Sequence, residues 1–483
     1  MDKRRVILTA AVVATVGGAA ALTLPSFAGT QKDRPPAQTS GPKVSPLMLN
    51  ALARDLHLTP EQAQQRLRQD AQFIRTAQTL KSQVGAAWAG AWVDKTGKTL
   101  NVAVTDARKT DTISKMGARP MVVKRSAVQL NKVKLALDSR AAQAKSSVTG
   151  WFVDPASNQV VVLSRSTPAA RALMTAAGVD TDMVRVVATK GQPRLLAGPT
   201  APAGAGESAD DGRGGAADKG QAGNAGNGQA GNGNGQAGNG QAVRGGLPYI
   251  INGQARCSVG FAVEGGFLSA GHCGQQGDTT AALSGGALRN QGVFVESTFP
   301  ENDFSFVKTE AAFTPVAEVE SFNGQTRPVE GGQPLPVAGS TEAPVGTAVC
   351  KFGSTTGASC GTVQALNATV QFADPAGGAG TVTVNGLTQT DACAEGGDSG
   401  GPFLAGDQAQ GTVSGGNGDC TVGGTTFFQP VNAALQTLKL TLLTSGGGDA
   451  GAGAGDAGAG SADPGAGSAG AVTQPGTANR GHR

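Results

Sequence analysis

The sequence predicts a mainly antiparallel β domain over residues 245–444, preceded by a small α+β domain over residues 29–199. Residues 245–444 alternate short runs rich in Val, Phe and Thr with Gly-containing turns, and offer no convincing helix before Val431–Leu438. All six cysteines lie in this segment. Residues 220–242 contain only Gly, Asn, Gln and Ala, so they separate two segments of ordinary composition. The chain of 483 residues is long enough for two or three domains.

The first 28 residues have the pattern of an export signal. Three basic residues (3–5) precede a run of apolar and small residues (6–24), and residues 26–28 fit a small-x-small cleavage site. The alternative is a membrane anchor, because about 18 apolar residues can just span a bilayer. The run is only weakly hydrophobic and no second one follows. A signal peptide over residues 1–28 and a secreted, extracellular protein without a stable membrane anchor are therefore expected.

Charge is unevenly distributed along the chain. Residues 29–199 carry 25 basic and 11 acidic side chains, a net charge of +14, whereas residues 245–444 carry 6 basic and 16 acidic ones, a net charge of −10. A basic and an acidic domain on one chain suit each other better than nucleic acid, so no nucleic-acid partner is expected. The alternative is that each domain has its own soluble surface and the opposite charges do not bring the two domains together.

The α+β domain shows helix signals followed by a duplicated pattern. Thr59 fits the N-cap of a helix, with Pro60 at its first position and Gln62 where a capping box needs it, so a helix is expected from Pro60 to about Val84. Residues 90–94 resemble residues 150–154. Each of these stretches is followed by an apolar strand, a helix-like stretch and a further strand, the last at residues 121–124 and 184–188. This repeated pattern predicts a small domain built by duplication.

Two tracts of low complexity are predicted to stay outside the folded domains. Residues 200–244 include G-N-G-Q-A repeats that cannot bury enough apolar area to offset chain entropy, so a flexible linker is expected. Residues 445–483 are rich in Gly, Ala, Ser and Asp and lack the aromatic residues or cysteines of a carbohydrate-binding module. A disordered tail is expected there.

The cysteines indicate disulfides rather than a metal site. Six cysteines confined to one exported domain can all pair with each other. The paired C-x-x-C spacings of zinc sites are absent from the sequence. No metal and no organic cofactor are implied.

The sequence Gly-Asp-Ser-Gly-Gly at residues 397–401 is the strongest chemical motif. A G-x-S-x-G pattern marks either the nucleophile of an α/β-hydrolase or the serine loop of a chymotrypsin-like peptidase. The first needs a histidine after the serine, and only His482, next to the end of the chain, has that order. The second needs one upstream in the same domain, where His272 stands beside Cys273 after an apolar strand. His272 and Ser399 are therefore the expected base and nucleophile.

An acidic partner for the histidine must come from the stretch before the serine. The aspartates in that stretch are Asp278, Asp303, Asp374, Asp391 and Asp398. Asp278 and Asp374 occupy turn-like contexts, and Asp398 is too close to the serine in sequence to reach behind the histidine ring. Asp303 heads an alternating strand, where a carboxylate can be buried and held. Asp303 is the expected orienting acid, and a surface residue capping that strand is the alternative.

The matching stretches together resemble the streptogrisin and α-lytic protease family of secreted bacterial chymotrypsin-like serine peptidases. They are distributed over the whole β domain, at residues 256–261, 269–273, 302–304, 353–357, 393–402, 414–416 and 427–431. Residues 29–199 resemble the pro-region of that family more loosely. The resemblance implies an all-β double barrel of two perpendicular six-stranded antiparallel barrels, with His272 and Asp303 in the first and Ser399 in the second.

The same resemblance implies roles for the three side chains. Ser399 Oγ attacks a peptide carbonyl, His272 removes and later returns its proton, and Asp303 orients the ring and stabilises its cationic form. The oxyanion is bound by backbone N–H groups of Gly397 and Ser399. The strand that pairs with the substrate backbone consists of Ser414, Gly415 and Gly416. The implied disulfides are Cys257–Cys273, Cys350–Cys360 and Cys393–Cys420.

Two positions depart from the family pattern, and a third bears on specificity. Gly396 stands where relatives often have Pro. Lys351 stands where they tend to have Arg, and although it keeps the charge that pairs with Asp398, it loses the bidentate fork. Asp391, two residues before Cys393, suggests binding of a Lys or Arg side chain at the cleaved bond. A medium or large apolar side chain, the usual preference of the family, is slightly favoured over it.

The sequence thus predicts a secreted serine endopeptidase, made as a zymogen and acting as a monomer on polypeptides through an acyl-enzyme on Ser399. Its pro-region (29–199) is expected to assist folding and to inhibit the enzyme until it is cleaved off at a processing site in the linker (200–244). Opposite charges are expected to promote docking of the two domains. The alternative is a catalytically silent protease fold that acts as a secreted binding or adhesion protein.

Overall fold

The computed structural model describes residues 45–196, 198–199, 241–284, 287–320 and 333–446. Residues 45–196 are termed the N-terminal module and residues 241–446 the barrel module. The predicted signal peptide, most of the predicted linker and nearly all of the predicted tail lie outside the described residues. Within the described residues, no helix combines the length and the apolar composition needed to cross a bilayer.

The N-terminal module consists of two helices followed by two similar α+β units. Its helices are α1 (Pro46–Asp55), α2 (Pro60–Val84), α3 (Thr110–Lys115), α4 (Ala127–Asp138) and α5 (Thr167–Ala176). Its strands are β1 (Trp88–Val93), β2 (Leu100–Val104), β3 (Arg119–Val122), β4 (Val148–Asp154), β5 (Gln159–Ser164), β6 (Val184–Ala188) and β7 (Arg194–Leu195), and β8 (Gly198–Pro199) follows. The predicted capping box of α2 is confirmed. Gln62 N–H donates to Thr59 Oγ1 at 3.2 Å, and Thr59 N–H donates to Gln62 Oε1 at 2.9 Å.

The two α+β units have the same strand pattern. In the first unit, β1 is antiparallel to β2 and β2 is parallel to β3, and in the second β4 is antiparallel to β5 and β5 is parallel to β6. Both first strands bulge at the equivalent point, between Trp88 and Gly90 and between Val148 and Gly150. Each unit has its own apolar core beneath its helices. The structure therefore contains the two similar units that the sequence predicts.

The barrel module is built almost entirely of strands. They are β9 (Gln241–Gly245), β10 (Pro248–Ile251), β11 (Ala255–Ser258), β12 (Ala262–Val263), β13 (Gly266–Ser269), β14 (Thr279–Ser284), β15 (Ala287–Thr298), β16 (Phe304–Thr309), β17 (Phe313–Val319), β18 (Leu335–Pro336), β19 (Ala348–Gly353), β20 (Gly357–Ala373), β21 (Thr381–Thr390), β22 (Pro402–Ala405), β23 (Gln408–Asp419) and β24 (Gly423–Pro430). Helix α6 (Val431–Leu438) follows the last strand, as predicted.

The strands of the barrel module form two curled assemblies. The first has the order β12-β13-β16-β15-β14-β10-β11, with β8 paired to its edge. The second has the order β19-β22-β23-β24-β21-β20, and β19 also pairs with β20, which closes these strands into a ring. The predicted all-β architecture is confirmed, and the double barrel with six strands in each barrel stays a prediction.

The barrel module begins earlier than the sequence predicted. Strand β9 starts at Gln241, within the predicted linker, and pairs in parallel with β17. Val243 is buried in the core, and Arg244 forms an ion pair with Glu318 at 2.6 Å. The start of the strand was missed because its first two residues, Gln and Ala, have the same sequence as the repeats before them. The residues that fix the strand in the core, Val243 and Arg244, follow that pair.

The two modules share a sheet and an apolar cluster. Strand β4 pairs with β20, so the second α+β unit extends the closed ring into a longer sheet. Met48 and Leu52 of α1 belong to the same buried cluster as Phe352 of β19 and Val431 of α6. The N-terminal module therefore packs on the second assembly along β20, β19 and α6.

Candidate active site

His272 lies on a single 3-10 turn, Gly271–Cys273, that directly follows β13. The disulfide between Cys257 and Cys273 joins this turn to β11. Close packing requires glycine at the start of the turn, because a Cβ on Gly271 would lie 2.1 Å from the carbonyl oxygen of Thr298. The histidine is thus held rigidly at the end of a strand.

Asp303 lies immediately before β16 and behind the ring of His272. Its Oδ2 is 2.8 Å from His272 Nδ1, and its Oδ1 accepts the backbone N–H of His272 at 2.9 Å. Ser414 Oγ also donates to Oδ2, and the N–H of Asp303 donates to Gln429 Oε1 at 2.9 Å. Burial raises the pKa of Asp303, but the His272 ring and the hydrogen bonds outweigh it and hold the pKa below its usual value. The carboxyl group is therefore kept ionised.

Ser399 completes a continuous row of polar contacts. Its Oγ is 2.8 Å from His272 Nε2. The backbone turns that present it use Gly397 and Gly400, with φ of 97° and 80°, a left-handed conformation that favours glycine. Serine, histidine and aspartate in this arrangement can pass a proton from a hydroxyl to a ring whose tautomer is fixed by the carboxylate.

A buried ion pair lies beneath the serine loop. Lys351 Nζ is 2.9 Å from Asp398 Oδ2, and both side chains are fully buried. Thr355 N–H and Thr356 N–H donate to Asp398 Oδ1 at 2.9 and 3.1 Å, and Thr356 Oγ1 contacts both Oδ2 and the lysine. Burial raises the pKa of Asp398, but Lys351 and these donors outweigh it and lower the pKa overall. The ammonium group of a lysine does not offer the two parallel N–H donors of an arginine. The two threonines supply additional donors to Asp398 in their place.

Residues of the N-terminal module lie along the strand that was predicted to pair with substrate. Strand β7 is antiparallel to β23, with Leu195 opposite Gly415 and Arg194 opposite Gly416. Glycine allows this approach, because a Cβ on Gly415 would lie 2.5 Å from the carbonyl oxygen of Arg194. The backbone N–H of Leu196 donates to the carbonyl oxygen of Ser414 at 3.4 Å. The protein's own chain therefore occupies the predicted substrate position.

The carbonyl group of Leu196 points into the serine loop. The N–H of Gly397, one of the two predicted oxyanion donors, donates to the carbonyl oxygen of Leu196 at 2.6 Å. The other predicted donor is the N–H of Ser399, and its role stays a prediction. The structure thus brings together His272, Asp303, Ser399, Gly397, Ser414, Gly415 and Gly416 around one segment of chain.

Asp391 is engaged elsewhere. It follows β21, its side chain is exposed, and its carboxylate accepts hydrogen bonds from Thr362 N–H at 2.6 Å and Gln364 Nε2 at 3.0 Å. Leu196 packs instead against an apolar cluster that includes buried Ala394. Asp391 is thus bonded to β20 in this structure, and its part in binding a basic side chain stays a prediction.

Two residues at the site were not predicted from the sequence. Gln429 lies in one of the stretches that carry the resemblance, and its amide oxygen holds the N–H of Asp303. Leu196 follows the second α+β unit, and no local signal marks it. Its contact with Gly397 joins residues that are 201 positions apart in the chain.

The three disulfides are those implied by the resemblance. The pairs are Cys257–Cys273, Cys350–Cys360 and Cys393–Cys420. The second joins the neighbouring strands β19 and β20, and the third ties the serine loop to the end of β23. Two of the bridges therefore brace the segments on which the histidine and the serine lie.

Comparisons with known families match nearly all of the described chain. Residues 61–123 match the family described as alpha-lytic protease pro N-terminal, and residues 125–181 match the alpha-lytic protease prodomain. Residues 237–438 match the trypsin family. The N-terminal module is thus similar to known prodomains, and the barrel module to known peptidase domains.

Individual relatives cover both modules. Streptogrisin-C of Streptomyces griseus is 39% identical over 456 residues, which cover 92% of this chain and 85% of the relative. Streptogrisin-D of the same organism is 36% identical over 367 residues, covering 75% and 77% of the two chains. The crystal structure of Cellulomonas bogoriensis chymotrypsin is 49% identical and covers 42% of this chain and 100% of that chain, with a TM-score of 0.36.

Proposed function

This chain belongs to the family of chymotrypsin-like serine peptidases that includes the streptogrisins, and we propose that Ser399, His272 and Asp303 are its catalytic triad. The protein is a serine endopeptidase made as a zymogen. The observation that carries the assignment of the triad is the unbroken row of contacts, with 2.8 Å from Ser399 Oγ to His272 Nε2 and 2.8 Å from His272 Nδ1 to Asp303 Oδ2.

The roles of the three side chains follow from their positions. Ser399 Oγ attacks the carbonyl carbon of a peptide while His272 Nε2 takes its proton. His272 then gives that proton to the leaving amine, and a water molecule hydrolyses the acyl-enzyme by the same route. Asp303, held ionised and buried, fixes the ring tautomer and stabilises the imidazolium ion that forms. Its hydrogen bonds to Ser414 and Gln429 keep it in place.

The negative charge on the carbonyl oxygen is stabilised by backbone donors of the serine loop. The N–H groups of Gly397 and Ser399 take this role in the proposal, and each such donor contributes roughly 3 kcal/mol to transition-state stabilisation. The contact of Gly397 N–H with the carbonyl oxygen of Leu196 supports it, because a peptide carbonyl already lies there. Lys351 and Asp398 hold the loop in this conformation from below.

In the uncleaved chain the N-terminal module acts as an inhibitor. Strand β7 fills the cleft along β23, so a substrate peptide has no access while the module is docked. We take residues 29–199 to be the pro-region, and residues 1–28 to direct export. Export is tested on the Ser399→Ala chain, which is expected in the culture medium with an N-terminus at residue 29. The same chain retained in the cells with residues 1–28 attached would contradict it.

Covalent labelling by a fluorophosphonate tests the triad. The wild-type protein is expected to react at Ser399 once the N-terminal module has been released, and the adduct should map to the peptide that contains residues 397–401. Ser399→Ala and His272→Ala should show no labelling. Ser340→Ala, on a loop of the same module, is the matched control and should react at the wild-type rate. A released barrel module that stays unlabelled would overturn the assignment.

The alternative function, a silent fold that only binds other molecules, is not favoured by any specific observation. All three triad side chains are present and in contact. The labelling experiment separates the two functions directly.

A further inference from the structure

The serine loop begins with a tight turn over residues 395–398. The N–H of Asp398 donates to the carbonyl oxygen of Glu395 at 3.0 Å, which closes the turn. Of the two central residues, Gly396 and Gly397, only Gly397 has a positive φ, at 97°. This is the geometry of a type II turn, in which glycine is preferred at the third position and proline is common at the second. This chain has glycine at both positions.

The peptide unit between Gly396 and Gly397 carries one of the two N–H groups proposed to stabilise the oxyanion. In a planar trans peptide the C=O and N–H groups point in opposite directions, so the Gly396 carbonyl sets the direction of the Gly397 N–H. A type I turn differs from a type II turn by a rotation of this central peptide by about 160°. Two adjacent glycines allow both turns, because neither has a Cβ that restricts its dihedral angles. After such a rotation a carbonyl oxygen would face the substrate in place of the N–H donor.

The next two peptide units of the loop are fixed by buried groups. The carbonyl oxygen of Gly397 accepts from Ser258 Oγ at 2.9 Å and from Ser354 Oγ at 3.1 Å. The carbonyl oxygen of Asp398 accepts from Gly401 N–H at 2.9 Å. Rotation of either peptide would leave buried polar groups without partners, which is costly. The first peptide of the loop is held differently.

The carbonyl oxygen of Gly396 has one donor within the described residues, the hydroxyl group of Thr355 at 2.8 Å. Arg256 Nη2 donates to the same hydroxyl oxygen at 2.7 Å, and Arg256 Nη1 donates to the carbonyl oxygen of Ser354 at 3.3 Å. Because an arginine can only donate, the Thr355 proton is directed toward Gly396. Both side chains pack directly on the turn, since a Cβ on Gly397 would collide with Thr355 Oγ1 and lie 2.6 Å from Arg256 Nη2.

The N-terminal module holds the same peptide at its other end. In the docked chain the N–H of Gly397 donates to the carbonyl oxygen of Leu196 at 2.6 Å. This bond is lost when the module leaves, and the hydroxyl of Thr355 then remains as the group that holds the peptide. An oxyanion donor is effective when it already points at the developing charge before the reaction begins. The threonine therefore matters most in the released enzyme.

From these contacts we propose that Thr355, oriented by Arg256, is a positioning residue of the oxyanion site. It keeps the Gly396–Gly397 peptide in the direction in which the Gly397 N–H faces the carbonyl oxygen of the substrate. The proposal rests on the proposed function. Thr355 takes no part in making or breaking bonds and acts through the backbone. Its hydroxyl favours the type II turn in a chain that lacks proline at the second position of the turn.

The first test compares Thr355→Val, which removes the hydroxyl and keeps a branched side chain, with Thr355→Ser, which keeps the hydroxyl. Each variant is made as the full-length chain and assayed, after release of the N-terminal module, on the p-nitroanilide of a peptide that ends in leucine. Removal of one oxyanion donor lowers kcat by about 100- to 1,000-fold. A donor that is present but often turned away should cost less, so Thr355→Val should lower kcat about 10- to 100-fold and change KM less than about 3-fold. Thr355→Ser should stay within about 3-fold of wild type.

The controls separate positioning from loss of folded protein. Active sites are counted by complete labelling with a fluorophosphonate, so kcat refers to folded enzyme. Thr309→Val is the matched control and should keep the wild-type kcat, because it removes a hydroxyl that lies 3.5 Å from the carbonyl oxygen of Gly265, outside the serine loop. If Thr355→Val does not fold, Arg256→Met decides the question. It keeps the threonine but removes the donors that orient it, and should lower kcat about 3- to 10-fold without changing KM.

A second substitution tests whether the threonine acts on this peptide or supports the loop in general. Gly396→Pro favours the type II turn through its own backbone, and the N–H that it removes donates to no group in the described part of the chain. The kcat lost through Thr355→Val should therefore be at least about 5-fold smaller in the Gly396→Pro chain than in the wild-type chain. An equal loss in the two chains would overturn the proposal.

The outcomes also separate this inference from the proposed function. A wild-type enzyme that is labelled at Ser399 and active, with a Thr355→Val variant of unchanged kcat, would overturn the role of Thr355 and leave the peptidase intact. The same holds if Arg256→Met has to be used and keeps the wild-type kcat. A released wild-type protein that neither labels nor cleaves the peptide would instead overturn the proposed function.

Discussion

The two α+β units of the N-terminal module share one strand pattern but contact the barrel module in different ways. The first unit is bridged to it in the described part of the chain where Val93 N–H donates to the carbonyl oxygen of Val345 at 2.7 Å. The second unit joins its sheet, since β4 pairs with β20 at Gly150 and Trp151. The two units therefore share one strand pattern but have two different interfaces with the barrel module.

Glycine shows how the two interfaces diverged. Gly150 lies against β20, where a Cβ would be 2.6 Å from the carbonyl oxygen of Thr369. Gly90 holds the equivalent bulge in the first unit, but a Cβ there would meet Pro155 of the second unit at 2.5 Å. The same residue type thus allows docking on the barrel in one unit and contact between the units in the other.

The first unit and the helices before it contact the barrel through charged side chains on backbone groups. Asp70 of α2 accepts the N–H of Ala348 at 2.9 Å, and Asp55 of α1 accepts the N–H of Cys360 at 2.7 Å. Arg54 donates to the carbonyl oxygen of Ala358 at 2.8 Å. These contacts depend on charge. The second unit adds to its strand pairing two hydrogen bonds with Thr369 Oγ1, which accepts from Lys134 Nζ at 2.9 Å and donates to Asp138 Oδ1 at 2.6 Å. The comparison predicts that pH and mutation of the charges on α1 and α2 act on the first interface, and that steric changes at the paired strands act on the second.

The largest effect is expected from Gly150→Val. The added side chain would collide with the backbone of Thr369 and separate β4 from β20. Overpacking of this kind costs about 1–3 kcal/mol, so the complex of the two modules, once the chain between them is cleaved, should dissociate roughly 10- to 100-fold faster. The measurement is the return of peptidase activity after dilution. Ala172→Val, on the exposed side of α5, is the control and should dissociate like wild type.

The next largest effect is a pH dependence of docking that comes from the titration of Asp70. Burial at the interface raises the pKa of Asp70 from 3.8 to about 6, although Arg66 and the N–H of Ala348 oppose it. A pKa that is raised on docking favours the complex below pH 4, and this advantage is lost as the pH rises through 6. Docking should weaken by up to about 100-fold over that window.

Asp70→Asn separates this dependence from other titrations. Complexes of both proteins are diluted at each pH, and aliquots are assayed at one common pH. The wild-type dissociation rate should rise between pH 4 and 7, and the variant's should rise much less. Equal slopes for the two proteins would remove Asp70 as the titrating group.

A smaller effect is expected from Asp55→Asn. The amide keeps an acceptor for Cys360 N–H but loses the charge that strengthens the bond, so dissociation should speed up about 3- to 10-fold. Asp106→Asn is the matched control, because Asp106 pairs with Arg108 on the exposed surface of the same module. Equal effects of the two substitutions would show that net charge, and not the Asp55 contact, is responsible.

The smallest effect on dissociation is expected from salt. Every ion pair found among the described residues joins two side chains of the same module, so screening leaves the docked contacts largely intact. The opposite net charges of the two modules should act on the encounter. The Debye length falls from about 10 Å at 0.1 M to about 3 Å at 1 M salt. Over that range reassociation should slow at least about 10-fold, and dissociation should change less than about 3-fold. Steep acceleration of dissociation by salt would contradict this division.

Local signals in the sequence predicted local structure well. Three of the predictions depend only on neighbouring residues, and the structure has these features with the predicted bounds. They are the N-cap at Thr59 and the helices Pro60–Val84 and Val431–Leu438. The order of His272, Asp303 and Ser399 was readable because the chain has so few histidines. Their mutual distances confirm that these three side chains meet.

Contacts through the backbone were not predictable in the same way. The pairing of β7 with β23 and of β4 with β20 joins main-chain groups far apart in sequence, and any residue type with a free N–H can make such bonds. The spacing of Asp391 from Cys393 likewise says nothing about Thr362 and Gln364, which bind its carboxylate. The position of Leu196 could be found only from the folded arrangement.

Hydrogen exchange of single amides tests most directly whether the chain fills its own cleft. In full-length Ser399→Ala, the N–H groups of Gly397 and Ala373 donate to the carbonyl oxygens of Leu196 and Pro193. They should exchange at least about 100-fold more slowly there than in the barrel module freed of the N-terminal module. Val413 N–H, which donates to Gly401 within the barrel, should be protected in both. Equal exchange of Gly397 and Ala373 in the two proteins would contradict the account.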